Sequence, residues 1–262
     1  MSTAQPTWDP AQYGRFERER AQPFFDLLAR VPGGAVRRAA DLGCGTGALT
    51  CTLAERWPDA VVWGVDSSAE MLRQAGAHAA PARLRFVQAD LASWEPEAPL
   101  DRIVSNAALQ WVPDHARVLA SLAARLAPGG VLAVQMPNND DEPSHRILAE
   151  LSGEAPWRDA LCGASPRSRL EPPAWYADRL IELGLEVELW QTIYHHRLAR
   201  PSEVVEWVKG SALRPVLSRL DARGAEAFLA AYTARIERAH PAGAHGVLFP
   251  FPRLFFVAAR HA

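Results

Sequence analysis

The chain has 262 residues, of which 48% are hydrophobic and 22% charged, with a formal net charge of −2. That is the make-up of an ordinary globular protein, and so even a charge balance gives no reason to expect a nucleic acid or an anionic membrane surface as partner. The cysteines Cys44, Cys51 and Cys162 are too scattered for a disulfide framework or a metal site, so a reducing, cytoplasmic setting is expected. No apolar run reaches the ~18 residues of a membrane span. Met1 to Pro10 has no basic segment followed by an apolar one, so no secretory signal is expected.

Tyr13 to Arg30 reads as a helix, with Phe16, Phe24, Leu27 and Leu28 as candidate buried positions and Arg15, Glu17, Arg18, Glu19 and Arg20 as a charged, solvated face; Pro32-Gly33-Gly34 closes it. A short apolar run then ends in Asp41-Leu42, followed by Gly43-Cys44-Gly45-Thr46-Gly47 and by helix-like Ala48 to Arg56. Strand, glycine turn and helix make the layout of a nucleotide-type ligand site. Glycine admits φ > 0 and lets a ligand approach without meeting a Cβ, and the helix start adds free N–H groups. Two ligand classes fit. Gly43, Gly45 and Ala48 satisfy the dinucleotide pattern G-x-G-x-x-G/A, whereas Gly47 and Asp41 favour a ligand with a cationic end, such as S-adenosylmethionine, because a carboxylate there repels a pyrophosphate. A tight turn with no ligand is the bland alternative.

Val61 to Asp66 is a continuous apolar run ending in an acid, as a strand covered on both faces reads, and an acid at that position commonly accepts ribose hydroxyls. Ser67 or Ser68 can cap the next helix, which carries Glu70, Met71 and Leu72. Leu84 to Asp90 is a third strand and Asp101 to Asn106 a fourth, leaving through Ala107 to Asp114. His115 to Leu126 is helical, Pro128-Gly129-Gly130 is expected to stop it, and Val131 to Met136 is a fifth strand. Alternating strands and helices imply a doubly wound parallel sheet. Pro137 to Pro173 is polar, with one short helical piece near Ser144 to Leu151, and a loop of that length is usually functional or flexible. Ala174 to Leu183 returns to helix, and Leu185 to His195 alternates as an antiparallel strand does. From Ser202 the chain is helical, with Val204, Val205 and Val208 on one face and Phe228, Tyr232 and Ile236 on another; Arg253 to Ala259 is the last strand.

Asp41, Asp66 and Asp90 thus fall at the carboxyl ends of successive strands, the edge where open α/β sheets bind ligands. The stretch Asp41-Leu-Gly-Cys-Gly-Thr-Gly resembles the first motif of class I S-adenosylmethionine-dependent methyltransferases. With Asp66-Ser-Ser-Ala-Glu-Met, Asn106-Ala-Ala-Leu-Gln-Trp-Val-Pro-Asp-His, Gly130-Val-Leu-Ala-Val-Gln-Met-Pro, Glu19-Arg20, Leu213-Arg214-Pro215 and Phe251-Pro-Arg-Leu-Phe, the chain is similar to the trans-aconitate 2-methyltransferase family over nearly its whole length. The resemblance implies a class I, Rossmann-like α/β fold: a seven-stranded, mostly parallel sheet with an inserted helical cap. Residues 1–136, 174–200 and 246–262 would form the core of one domain, and 137–173 and 201–245 the substrate cap.

The resemblance also implies S-adenosylmethionine as cofactor. Gly43, Gly45 and Gly47 would form its loop, with Asp66 on the ribose, Asp90 on the adenine amino group and Met71 and Leu91 against the adenine. Asp41 would order the amino-acid end, with Asn106 near it. The implied substrate is trans-aconitate, a small tricarboxylate, esterified on one carboxylate oxygen. Arginine suits such a ligand because its planar fork binds a carboxylate bidentately. Arg20, Arg214 and Arg253 are the candidates, with Tyr194, His195 and His196 as hydrogen-bond donors and Trp111 at the exit of the fourth strand. A carboxylate is already ionised at neutral pH, so neither a general base nor a metal is expected, and rate is expected from alignment and exclusion of water. A monomer or weak homodimer is expected. The alternatives are a methyltransferase for another small acid, a nicotinamide-dependent oxidoreductase, which Asp41 and Asp90 disfavour, and a non-catalytic S-adenosylmethionine-binding regulator.

Overall fold

A computed structural model of the protein describes residues 16–76, 82–162 and 169–262. They fall into two compact units: a sheet unit of residues 18–76, 82–137, 170–192 and 253–262, and a second unit of residues 16–17, 138–162, 169 and 193–252.

The sheet unit opens with α1 (Glu17–Ala29), most of which lies in it, and continues through β1 (Arg38–Leu42), α2 (Ala48–Arg56), β2 (Val61–Asp66), α3 (Ala69–Ala75), β3 (Leu84–Gln88), β4 (Leu100–Asn106), a 3-10 turn (Leu109–Trp111), α4 (His115–Ala124), β5 (Leu126–Pro137) and α7 (Pro173–Glu182). Strands β6 (Leu185–Leu198) and β7 (Val247–Arg260) each contribute residues to both units. The sheet has seven strands in the order β3-β2-β1-β4-β5-β7-β6. β1 pairs in parallel with β2 on one side and β4 on the other, and β7 lies antiparallel to β5. The chain therefore changes direction of travel between β1 and β4, and that switch point lies at the carboxyl ends of both strands.

The apolar runs read from the sequence become buried strands because helices cover them. Leu42, Val65, Ile103, Leu132, Val134 and Phe256 form one cluster with Leu119 and Leu122 of α4 and Tyr176 and Leu180 of α7. At its polar rim the buried His115 lies with Nε2 2.9 Å from the Leu109 carbonyl and Nδ1 2.5 Å from the Tyr176 hydroxyl. A carbonyl only accepts, so Nε2 carries the proton and Nδ1 accepts from Tyr176. This chain of bonds ties the β4 exit to α4 and α7.

The second unit holds α5 (Pro143–Ser152), α6 (Arg158–Leu161), α8 (Ser202–Lys209), α9 (Leu213–Leu217) and α10 (Ala222–Ala239). Its core contains Ile147, Leu151, Val204, Trp207, Phe228, Tyr232, Ile236, Phe249 and Phe251. The 228, 232, 236 spacing places that stripe on one helix face, and the Tyr232 hydroxyl donates to the Ser144 carbonyl at 2.9 Å.

In the second unit, Leu198, Val247, Phe249 and Phe251 pack into the core and carry the ends of β6 and β7 with them. Several expectations are corrected. The polar stretch after β5 contains two helices, since Trp157 packs edge-on to Phe228 (5.3 Å) and Leu161 is buried. Pro128-Gly129-Gly130 lies inside β5; the helix before it closes at Ala124, where Arg125 N–H bonds back to Ser121 and Leu122. β3 ends at Gln88, so Asp90 stands beyond it. Tyr13 to Arg15, the start of the first expected helix, lie outside the described residues. No helix of the described residues is long and apolar enough to cross a membrane.

Tyr176→Phe leaves the buried Nδ1 of His115 without its donor. The unfolding free energy in urea is expected to fall by about 1–3 kcal/mol; an unchanged value would remove the anchoring role of this network.

Candidate functional site

The three loop glycines all adopt left-handed backbone: Gly43 at φ 81°, Gly45 at φ 56° and Gly47 at φ 77°. Their surroundings differ. A Cβ at residue 43 would lie 2.1 Å from the Ala108 Cβ, and one at residue 47 would lie 2.6 Å from the Phe86 ring; one at residue 45 would meet nothing within 4 Å. Gly43 and Gly47 are thus required by packing, whereas Gly45 borders open space. The Gly43 N–H donates to the Val65 carbonyl at 2.7 Å, folding the loop over the end of β2.

Asp66 holds that loop from below. Its Oδ2 accepts the Gly45 N–H at 2.9 Å and its Oδ1 accepts the Ser68 N–H at 2.8 Å, so the carboxylate is fixed while each oxygen keeps a further lone pair. Ser68 caps α3 by accepting the Met71 N–H at 3.3 Å, and Met71 is buried. Asp41 is buried and accepts the Thr50 hydroxyl at 2.6 Å. Burial raises its pKa from 3.8 to about 7; the Thr50 bond opposes this and the nearby Asp66 charge adds to it. Burial likewise raises the Cys44 thiol, first among its causes, leaving it unreactive between the two acids.

Asp90 is exposed and closes a turn, its Oδ1 accepting the Ala92 N–H at 2.8 Å. The segment after it is pinned by a residue that sequence reading missed. The buried Arg125 donates to the carbonyls of Leu91 and Ala92, both at 3.1 Å, and to Glu95 at 3.0 Å. Leu91 is half-buried there.

At the β4 exit, Asn106 faces Gln135 across the strand pair, and its buried Oδ1 has no hydrogen-bond partner among the described residues. Ala107 follows at φ 53°, a left-handed conformation that costs a non-glycine residue about 1 kcal/mol. The Ala107 N–H bonds to the Gln135 carbonyl at 2.9 Å, and Gln110 Nε2 donates to the Ala107 carbonyl at 2.6 Å, so the turn is imposed from both sides. Strain held in this way at a switch point is typical of a functional turn. Trp111 is half-buried on the 3-10 turn beyond it.

Arg253, on β7, is 4% exposed, and its Nη1 donates to Gln135 Oε1 at 3.2 Å. Sequence reading did not single out Gln135, whose signal is a lone glutamine in the apolar run Val131 to Met136. Arg20 is half-buried on α1. Tyr194 and His196 belong to the second unit, where their rings stack at 6.3 Å and His196 stacks on Trp207 at 4.5 Å. Arg214 is half-buried in that unit on α9, between the buried Leu213 and Pro215. The sheet unit therefore gathers Asp41, Gly43, Gly45, Gly47, Asp66 and Met71 around the exits of β1 and β2, and Asn106, Gln135 and Arg253 along β4, β5 and β7. His195 is exposed on β6.

Residues 39–130 match a family model described as a methyltransferase domain. The chain is 50% identical to the trans-aconitate 2-methyltransferase of Azoarcus sp. (strain BH72), over 97% of this chain and 100% of that protein. It is 48% identical to the trans-aconitate 2-methyltransferase of Streptomyces avermitilis over 100% of both. Among solved structures, a putative methyltransferase from Bacillus halodurans C-125 superposes with a TM-score of 0.60 at 13% identity, over 92% of this chain and 100% of that one, a likeness of fold.

The raised pKa of Asp41 sets a pH dependence. The folded state holds its proton more tightly than the unfolded chain, so stability falls as pH rises from about 4 to about 7, by up to about 4 kcal/mol, and is level above that. Asp41→Asn stays neutral and still accepts from Thr50. Its melting temperature relative to wild type is expected to climb in the variant's favour between pH 4 and pH 8; a difference constant with pH would show that the carboxyl is not so perturbed.

Proposed function

Because this chain belongs to the trans-aconitate 2-methyltransferase family, we propose that it transfers a methyl group from S-adenosylmethionine to a carboxylate oxygen of trans-aconitate, giving the monomethyl ester and S-adenosylhomocysteine. The observation that carries this reading is that identity near one residue in two runs over the full length of both chains, through the sheet unit and the second unit alike.

The residues present suit such a cofactor. Gly45 borders open space, Asp66 keeps lone pairs for two hydroxyls, and Asn106 Oδ1 is a buried acceptor awaiting a donor. In this proposal Asp66 takes the ribose, Asp90 the adenine amino group, and Met71 and Leu91 the adenine faces. The Gly43, Gly45 and Gly47 backbone lies along the ligand, and Asp41 and Asn106 order its ammonium end. When bound, S-adenosylmethionine supplies a methyl group on a positively charged sulfur. The protein's task is then to hold an already ionised acid in line and keep water out. Arg20, Trp111, Tyr194, His196, Arg214 and Arg253 are the candidates for the acid. Arg253 is the best supported of them, being buried and held by Gln135 Oε1 close to Asn106 at the same sheet edge. A cytoplasmic setting, in which Cys44, Cys51 and Cys162 stay as free thiols, and a monomer or weak homodimer belong to the same proposal.

Incubation with S-adenosylmethionine and a panel of small acids, followed by product mass spectrometry, tests it. A monomethyl ester formed fastest from trans-aconitate is expected; no ester, or a clear preference for another acid, would overturn the substrate. Asp66→Ala is expected to weaken cofactor affinity by about 2–3 kcal/mol, the worth of two charge-assisted hydrogen bonds. Unchanged affinity by calorimetry in a folded variant would take the ribose away from Asp66.

A further inference from the structure

Gln135 sits at the carboxyl end of β5, fully buried, with Asn106 opposite it on β4 and Arg253 two residues from its β7 partner Phe255. Its amide can face only one way. Arg253 Nη1 has hydrogens to give and needs an oxygen, so Oε1 faces β7. Nε2 is thereby turned away from the arginine, and it has no hydrogen-bond partner among the described residues. A buried N–H pair left unmet is costly, so a glutamine in the apolar run Val131 to Met136 calls for a ligand acceptor. With its oxygen engaged by Arg253, the pair offers only donors.

We propose that Gln135 is a substrate-binding residue: its oxygen orients the Arg253 guanidinium, and its amide N–H donates to a carboxylate of the acid that is not methylated. This rests on the tricarboxylate reading above. Donors without acceptors match a carboxylate, which only accepts. A carboxylate whose charge is met by a guanidinium and an amide is also a poor nucleophile, which assigns the pair to a spectator group and leaves another carboxylate to react. The cofactor's own carboxylate is the competing owner of these donors. Strand order favours the acid: β5 lies two strand spacings, roughly 9–10 Å, from the glycine loop after β1, and β7 lies three, roughly 14 Å.

Gln135→Glu keeps the shape but replaces the N–H donor with an acceptor and neutralises Arg253. Gln135→Met removes both polar atoms and serves if the first variant fails to fold. With Gln135→Glu the KM for trans-aconitate, and its Kd on the S-adenosylhomocysteine complex by calorimetry, are expected to rise by about 30-fold or more, with about tenfold for Gln135→Met. Affinity for S-adenosylhomocysteine should stay within about twofold. Unchanged affinity for the acid in either folded variant, or a loss that falls on S-adenosylhomocysteine instead, overturns the proposal. Should the wild type not esterify trans-aconitate, the functional reading fails by itself, and calorimetry with tricarballylate still decides the role of Gln135 by the same comparison.

Discussion

The site depends on one steric constraint, the approach of the β1 exit to the β4 exit. Gly43 and Ala108 lie so close that any side chain at residue 43 would collide with the alanine methyl. Because β1 and β4 are parallel neighbours whose following connections lead to opposite sides of the sheet, their exits must turn apart at the same edge. Gly43 turns at positive φ, and Ala107 accepts a strained one. Once the loop is so folded, the Gly45 N–H meets Asp66, α2 starts at the edge, and the acids that end β1 and β2 share one small volume with the loop.

Charge is ordered along that edge. The β1 and β2 side carries acids, Asp41 buried and Asp66 fixed by two N–H groups. The β5 and β7 side carries donors, Gln135 and Arg253. Asn106 on β4 lies between them with an open acceptor. In the proposed reading a cationic ligand end and an anionic one fall to adjacent halves of this edge, although the chain as a whole carries only −2. Local arrangement does what bulk charge cannot. Burial holds the Asp41 pKa near neutral on the same edge.

Much of the first half of this edge was legible because its signals are local. Asp41, the glycines, Asp66 and the Ser68 cap lie within strand-turn-helix units whose geometry follows from a few neighbouring residues, and the Phe228, Tyr232, Ile236 stripe needs only helical period. The other half depends on strand register. Gln135 and Arg253 meet across 118 positions of sequence, and although the apolar run around Gln135 marks that glutamine, nothing local shows that Arg253 is its partner. Arg125 reads as the charged end of a helix, yet it pins the segment after Asp90 through main-chain oxygens that sequence does not reveal. β6 and β7 keep a strand pattern throughout, so their alternation gives no sign of where one core yields to the next.

A crystal structure with S-adenosylhomocysteine and trans-aconitate bound together tests the ordering of this edge most directly. The ribose hydroxyls are expected on Asp66, the ammonium group at Asn106 on the Asp41 side, and a carboxylate of the acid on Arg253 and Gln135. Nucleoside density away from the Gly43 to Gly47 loop, or an acid whose carboxylates leave Arg253 and Gln135 untouched, would contradict it.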